Sequence, residues 1–165
     1  DAAGLTVFAK LGKPLFPQSV ESLKKIIEST ELPFIVKGIM TVEGALKAKQ
    51  AGASGIIVSN HGGRVLDDTL STIEVLPSIV EACKGEMKIF IDGGFRKGTD
   101  IFKAIALGAD AVLIGRPYGV AVYGGGMEGA KLYTEKIGAE LEDAMRMTGA
   151  KNLDEITIDK VEFAK

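Results

Sequence analysis

Apolar positions along this chain alternate between two spacings. Val20, Leu23, Ile26 and Ile27 recur at helical intervals behind Ser19, a residue suited to cap a helix, and Leu32-Pro33 closes that segment. Phe34-Ile35-Val36-Lys37-Gly38 is a short run rich in branched residues, hence a strand. Thr41 caps a second helix that runs to Gln50 and stops at Gly52. Residues 55–59 form the next strand. Thr69 to Ser71 precede a helix from about Thr72 to Lys84, with Pro77 inside it. Residues 88–92 read as a third strand, 99–107 as a helix and 111–115 as a fourth strand. Gly124-Gly125-Gly126 then interrupts the pattern before a long amphipathic helix from Met127 to Thr148. The tail from Lys151 is polar and expected to be irregular. At the other end, Leu5 to Ala9 forms a short apolar segment, and Gly12, Pro14 and Pro17 break regular structure after it.

Four strand–helix units in a row imply a parallel sheet. The strands are continuous apolar runs, as expected where both faces are covered. Residues 51–59 also echo residues 107–115 at a period of 56. Each copy is a helix end, a glycine turn and a buried strand. Such repeats suit a (β/α)8 TIM barrel. A whole barrel needs roughly 250 residues, against 165 in this chain. The expected fold is therefore α/β, with residues 1–165 forming about the C-terminal half of a barrel and the N-terminal half absent.

Composition narrows the function classes. The formal net charge is −2 and no basic block stands out, so nucleic acid and membrane surfaces are poor partners. No apolar run is long enough to span a bilayer. The one cysteine, Cys83, cannot form an internal disulfide, which suits a reducing, cytoplasmic setting; it reads as a small core hydrophobe. No metal-ligand pattern is present.

The chemistry should lie where strands end. Ser59-Asn60-His61-Gly62-Gly63-Arg64 follows the second strand and holds the only histidine. A side chain that titrates near neutrality thus shares a turn with an arginine whose planar fork suits a carboxylate or phosphate. That pairing points to proton abstraction from an acidic substrate. Lys37 closes the first strand, and a lysine there is rarely buried without a partner. Asp92-Gly93-Gly94-Phe95-Arg96 and Gly115-Arg116-Pro117 close the third and fourth. Glycines, helix N-termini and arginines together suit a phosphate.

Val36-Lys37-Gly38, Ser59 to Arg64, Asp92 to Asp100 and Ile114-Gly115-Arg116-Pro117 occur in order. Together they closely resemble the FMN-dependent α-hydroxy-acid dehydrogenases and oxidases, the lactate oxidase and glycolate oxidase group, from about Pro33 to Thr148. The glycine run and residues 30–40 look most like bacterial members. The resemblance implies an FMN cofactor, a small L-2-hydroxy-acid substrate and a homo-oligomeric parent, tetrameric or larger. It implies that His61 is the base and that Arg64, with His61, binds the substrate carboxylate. It implies that Lys37 acts electrostatically beside the flavin, with Ser59 and His61 also contacting it. Asp92, Gly93, Gly94 and Arg96 would bind the ribityl chain and phosphate, and Gly115 and Arg116 would complete the phosphate site. The family's tyrosines, second arginine and carboxylate partner for the histidine belong to the other half of the barrel, and the resemblance gives Asp67 and Asp68 no such role. Two alternatives stand beside this reading. One is a type 2 isopentenyl diphosphate isomerase-like flavoenzyme, against which intact His61 and Arg64 argue. The other is a non-catalytic FMN- or phosphate-binding half-barrel.

Overall fold

The computed structural model describes residues 10–12, 16–83 and 85–163; the apolar segment 5–9, Pro14 and Lys84 lie outside them. The chain forms two compact units, Asp1–Gly93 and Gly94–Lys165.

In the first unit, α1 (Val20–Ile27) begins where expected, because the Ser19 hydroxyl accepts the Ser22 N–H at 3.1 Å. Strand β1 covers Ile35–Ile39, one residue later than the apolar run suggests. Helix α2 (Val42–Gln50) is capped by Thr41, which accepts the Gly44 N–H at 3.0 Å. Strands β2 (Gly55–Val58) and β3 (Lys88–Ile91) follow, with α3 (Thr72–Cys83) between them. Strand β2 pairs in parallel with both β1 and β3, and the β1 register shifts between Lys37 and Ile39.

Strand β2 is the centre of this unit's core. Ile56 and Val58 are fully buried, as are Leu76, Ile79 and Cys83 of α3 and Ile91 of β3. Cys83 is thus a core residue, as its pattern suggests. Coverage of both faces holds for β2 but not for β1, where Ile35 is 43% exposed. The difference is one of partners: among the described residues of this unit β1 pairs with β2 alone, while β2 is flanked on both edges.

The second unit departs further from expectation. Helix α4 (Gly98–Ala106) is set by Asp100, whose carboxylate accepts the Arg96 and Lys97 N–H groups, both at 3.0 Å. Strand β4 shrinks to Ala111–Val112, against the expected 111–115. Helix α5 runs Arg116–Thr148, so Gly124-Gly125-Gly126 lies inside a helical stretch, and only Gly126 leaves helical geometry, at φ 56° and ψ −138°. A straight helix would separate Tyr118 and Tyr133 by about 22 Å, yet their ring centroids are 4.9 Å apart. The chain therefore doubles back at Gly126, and α5 is a hairpin of two arms. Gly126 suits that reversal because positive φ costs it little. The arms touch so closely that a Cβ on Gly129 would overlap the Ala121 carbonyl.

The polar tail has no α-helix or strand, in keeping with its expected irregularity, but it packs against the rest of the unit. Residues 153–155 and 158–160 form 3-10 turns. Ile156 is buried with Phe102, Ala106 and Ala150, and Val161 packs against the same group. Isolated apolar residues in a polar segment find a groove that only the folded α4 and α5 create.

Candidate active site

Parallel pairing puts the carboxyl ends of β1, β2 and β3 on one side of the first unit. Lys37 lies within β1, two residues before its end rather than closing it as expected, while Ser59 follows β2 and Asp92 follows β3. The Lys37 Nζ donates to the Ser59 Oγ at 2.7 Å and pairs with the Asp92 Oδ2 at 3.2 Å. Ser59 is 1% exposed, so this hydroxyl is a fixed point rather than a surface group. Its oxygen also accepts the His61 backbone N–H at 3.1 Å. One buried oxygen therefore fixes the lysine ammonium and the histidine backbone together.

His61 itself sits at φ 57°, in the left-handed region that non-glycine residues seldom occupy. Such strain persists where surrounding structure enforces it, and it clusters at functional sites. Three contacts enforce it. Ser59 holds the N–H. The Arg64 Nε donates to the His61 carbonyl at 3.1 Å. The Asn60 side chain accepts the Gly63 N–H at 3.2 Å and closes the 3-10 turn His61–Gly63. The imidazole is half-buried. Burial lowers its pKa, the Lys37 and Arg64 cations lower it further, and Asp92 opposes them. The neutral form that can accept a proton is favoured.

Asp92 carries a second feature. Its Oδ1 is buried and has no hydrogen-bond partner among the described residues. A buried carboxylate oxygen in that state is an acceptor awaiting a donor. Thr72, 2% exposed at the start of α3, donates its hydroxyl to the Asp92 carbonyl at 2.6 Å. A Cβ on Gly93 would lie 3.1 Å from that same hydroxyl oxygen. Thr72 and Asn60 were not singled out from sequence. Both are residue types that read as caps or turn formers, and only the tertiary contact distinguishes them.

In the second unit, Gly94 and Gly115 both have open space where a Cβ would stand, with nothing within 4 Å. Gly115 precedes α5, and no side chain caps that helix start. Arg116 is the first residue of α5. The Arg96 backbone carbonyl accepts the Tyr133 hydroxyl at 3.0 Å. The sequence-chosen residues Gly94, Arg96, Gly115 and Arg116 all lie at loop–helix junctions of this unit.

The first unit is built of parallel βα elements with polar and charged groups gathered towards the strand ends, which is the organisation of a (β/α)8-barrel enzyme. The chain matches the FMN-dependent dehydrogenase family over residues 6–163 and belongs to that family. It is 49% identical to a peroxisomal (S)-2-hydroxyacid oxidase of Arabidopsis thaliana over 87% of this chain and 39% of that protein. It is 44% identical to a 4-hydroxymandelate oxidase of Amycolatopsis orientalis over 83% of this chain and 38% of that protein. A mandelate oxidase variant solved with (S)-mandelic acid superposes with a TM-score of 0.83 at 43% identity, covering 87% of this chain and 43% of its own. The expectation of a partial (β/α)8 barrel from this family stands. The chain spans 38–39% of the length of those curated relatives. Among the described residues, no helix is long and apolar enough to cross a membrane.

Proposed function

We propose that the full-length protein oxidises a small L-2-hydroxy acid to the 2-oxo acid with FMN, and that this chain supplies the base and much of the cofactor site as the C-terminal half of the barrel. The observation that carries the reading is the Lys37–Ser59–His61 cluster, in which one buried hydroxyl sets a cation beside a strained, half-buried histidine. The relatives named as 2-hydroxyacid and hydroxymandelate oxidases support the substrate class.

The residues present fit FMN. The orphaned Asp92 Oδ1 suits a ribityl hydroxyl as donor. The open faces of Gly94 and Gly115 let backbone N–H groups approach a phosphate, and Gly93 continues the same turn. Arg96 and Arg116 add charge-assisted bonds to it. Ser59, whose oxygen already accepts two hydrogen bonds, keeps its O–H to donate. FMN, when bound, supplies the two-electron acceptor for the hydrogen leaving the substrate α-carbon. The His61 imidazole takes the proton that the substrate gives up. The Arg64 guanidinium holds the substrate carboxylate, and its bond to the His61 carbonyl couples that hold to the base. Lys37 faces the negative charge that gathers as the substrate is oxidised. A cytoplasmic location, a bacterial source and a homo-oligomeric parent complete the proposal; the buried, lone Cys83 suits the first.

Two measurements test it. Anaerobic addition of L-lactate, glycolate or L-mandelate to the flavin-loaded, full-length protein should bleach the flavin absorbance. A flavin that stays oxidised with every small L-2-hydroxy acid would refute the reading. Lys37→Met should leave FMN bound but harder to reduce. A charge-assisted hydrogen bond is worth about 1.5–3 kcal/mol, so the two-electron potential should fall by about 30–60 mV. A potential that holds or rises would remove Lys37 from this role.

A further inference from the structure

The second unit contains a contact that the proposed function does not use. Tyr133 lies on the second arm of the α5 hairpin, and its hydroxyl donates to the Arg96 carbonyl at 3.0 Å. Its ring meets that of Tyr118 edge to face, with centroids 4.9 Å apart and planes at 85°, a favourable aromatic geometry. Tyr118 lies two residues after Arg116, in the first turn of the other arm. Its hydroxyl shares a 2.8 Å hydrogen bond with the Thr134 Oγ1. Tyr133 is therefore in contact with both parts of the anion site. One is the loop that carries Gly94 and Arg96, and the other is the helix start that carries Gly115 and Arg116.

The remaining contacts around this loop act on other atoms. Asp100 holds the Arg96 and Lys97 N–H groups, and the Glu140 Oε2 accepts the Gly98 N–H at 2.8 Å. Neither reaches the first arm of α5. Through Tyr118, Tyr133 ties that arm to the Arg96 loop. Burial raises the Tyr133 pKa above its ordinary value, so the phenol remains a donor at any working pH. Chemistry as well as position favours a role: an aromatic ring supplies rigid packing at low entropy cost, and its hydroxyl supplies one directed bond.

We infer that Tyr133 is a positioning residue for phosphate recognition, setting the Arg96 loop at a fixed distance from the Gly115–Arg116 helix start through its hydroxyl and through Tyr118. This rests on the reading that these residues bind the phosphate of FMN. The consequence is specific. A misplaced cage weakens binding of a flavin with a phosphate and leaves binding of one without it unaffected.

The test compares FMN and riboflavin binding to the flavin-free, full-length protein by fluorescence titration. Tyr133→Phe keeps the ring and its packing on Tyr118 but removes the bond to Arg96. It should weaken FMN binding by about three- to tenfold, the range of one neutral hydrogen bond, with riboflavin affinity unchanged. Tyr118→Phe, which releases Thr134 but keeps both rings, should show a smaller loss of the same kind. Equal losses for FMN and riboflavin in Tyr133→Phe would mark a merely structural role and overturn the inference, as would no loss of either. If the unsubstituted protein itself binds FMN no more tightly than riboflavin, the phosphate reading fails, and the inference fails with it. That outcome is distinguishable because it appears before any substitution is made.

Discussion

Replacing His61 by Gln in the full-length protein should lower turnover of a 2-hydroxy acid by about 10²–10⁴-fold, the usual contribution of a positioned base. Flavin content should hardly change, because Ser59 and Arg64 hold this loop through the His61 backbone. The Ser59 Oγ accepts the His61 N–H and Arg64 donates to the His61 carbonyl, and neither involves the imidazole. The pH profile is the second readout. Burial and the neighbouring Lys37 and Arg64 cations lower the His61 pKa from its ordinary 6.5. The base is lost only when it is protonated, so the acid limb of kcat/KM should fall below pH 6.5 rather than at or above it. Retained turnover in His61→Gln on every small 2-hydroxy acid tried would mean that the Ser59–Arg64 loop is not the catalytic centre. An acid limb above neutrality would instead mean that the local cations do not govern this imidazole.

The parts of the fold legible in sequence are those whose cause is local. Ser19 and Thr41 cap the helices they precede because their hydroxyls meet N–H groups three residues on. Strand β2 reads as a buried run because both its edges and both its faces are filled. Ser59 and Asp92 are legible because each stands just past a strand, and Lys37 because it interrupts an apolar strand near its carboxyl end; parallel pairing brings such positions together. What escaped is set by contacts distant in sequence. The residues from Arg116 to Gly125 have no helical period and end in two glycines, with a third following, so nothing local marks them as helical. Helices of that length depend on packing, and this one has the Tyr118 ring against Tyr133. Ile156 and Val161 are too sparse in their segment to signal burial. Thr72 looks like any helix-start threonine until the Asp92 carbonyl is placed 2.6 Å from its hydroxyl. The strain at His61 is equally hidden, since two glycines follow it and nothing in the sequence places the left-handed conformation on the histidine.

Gly98→Ala should unfold the second unit more readily than any propensity argument allows. Gly98 opens α4 without positive φ, so alanine fits its backbone conformation, and helix propensity alone favours the change by up to about 1 kcal/mol. Packing opposes it. A Cβ there would stand 2.5 Å from the Ile137 carbonyl oxygen, 2.6 Å from the Glu140 carbonyl carbon, and closer still to the Leu141 nitrogen. All three are backbone atoms of α5 and cannot rotate away as a side chain does. Relief requires α4 and α5 to separate, which loosens the Gly98 N–H bond to Glu140 and the shared core of Phe102, Leu141 and Ala144. Overpacking typically costs about 1–3 kcal/mol, and more where backbones must move, so a net loss of about 3 kcal/mol or more is expected. Gly138→Ala is the internal control. It lies on the same arm of α5 with nothing within 4 Å of its Cβ position, and it should be neutral or stabilising by up to about 1 kcal/mol. Urea unfolding of the two variants beside the unsubstituted protein decides the matter. Similar midpoints for Gly98→Ala and Gly138→Ala would show that α4 and α5 are not in backbone contact. A large loss confined to Gly98→Ala would fix the seat of the Arg96 loop on α5, the same arm that carries Tyr133.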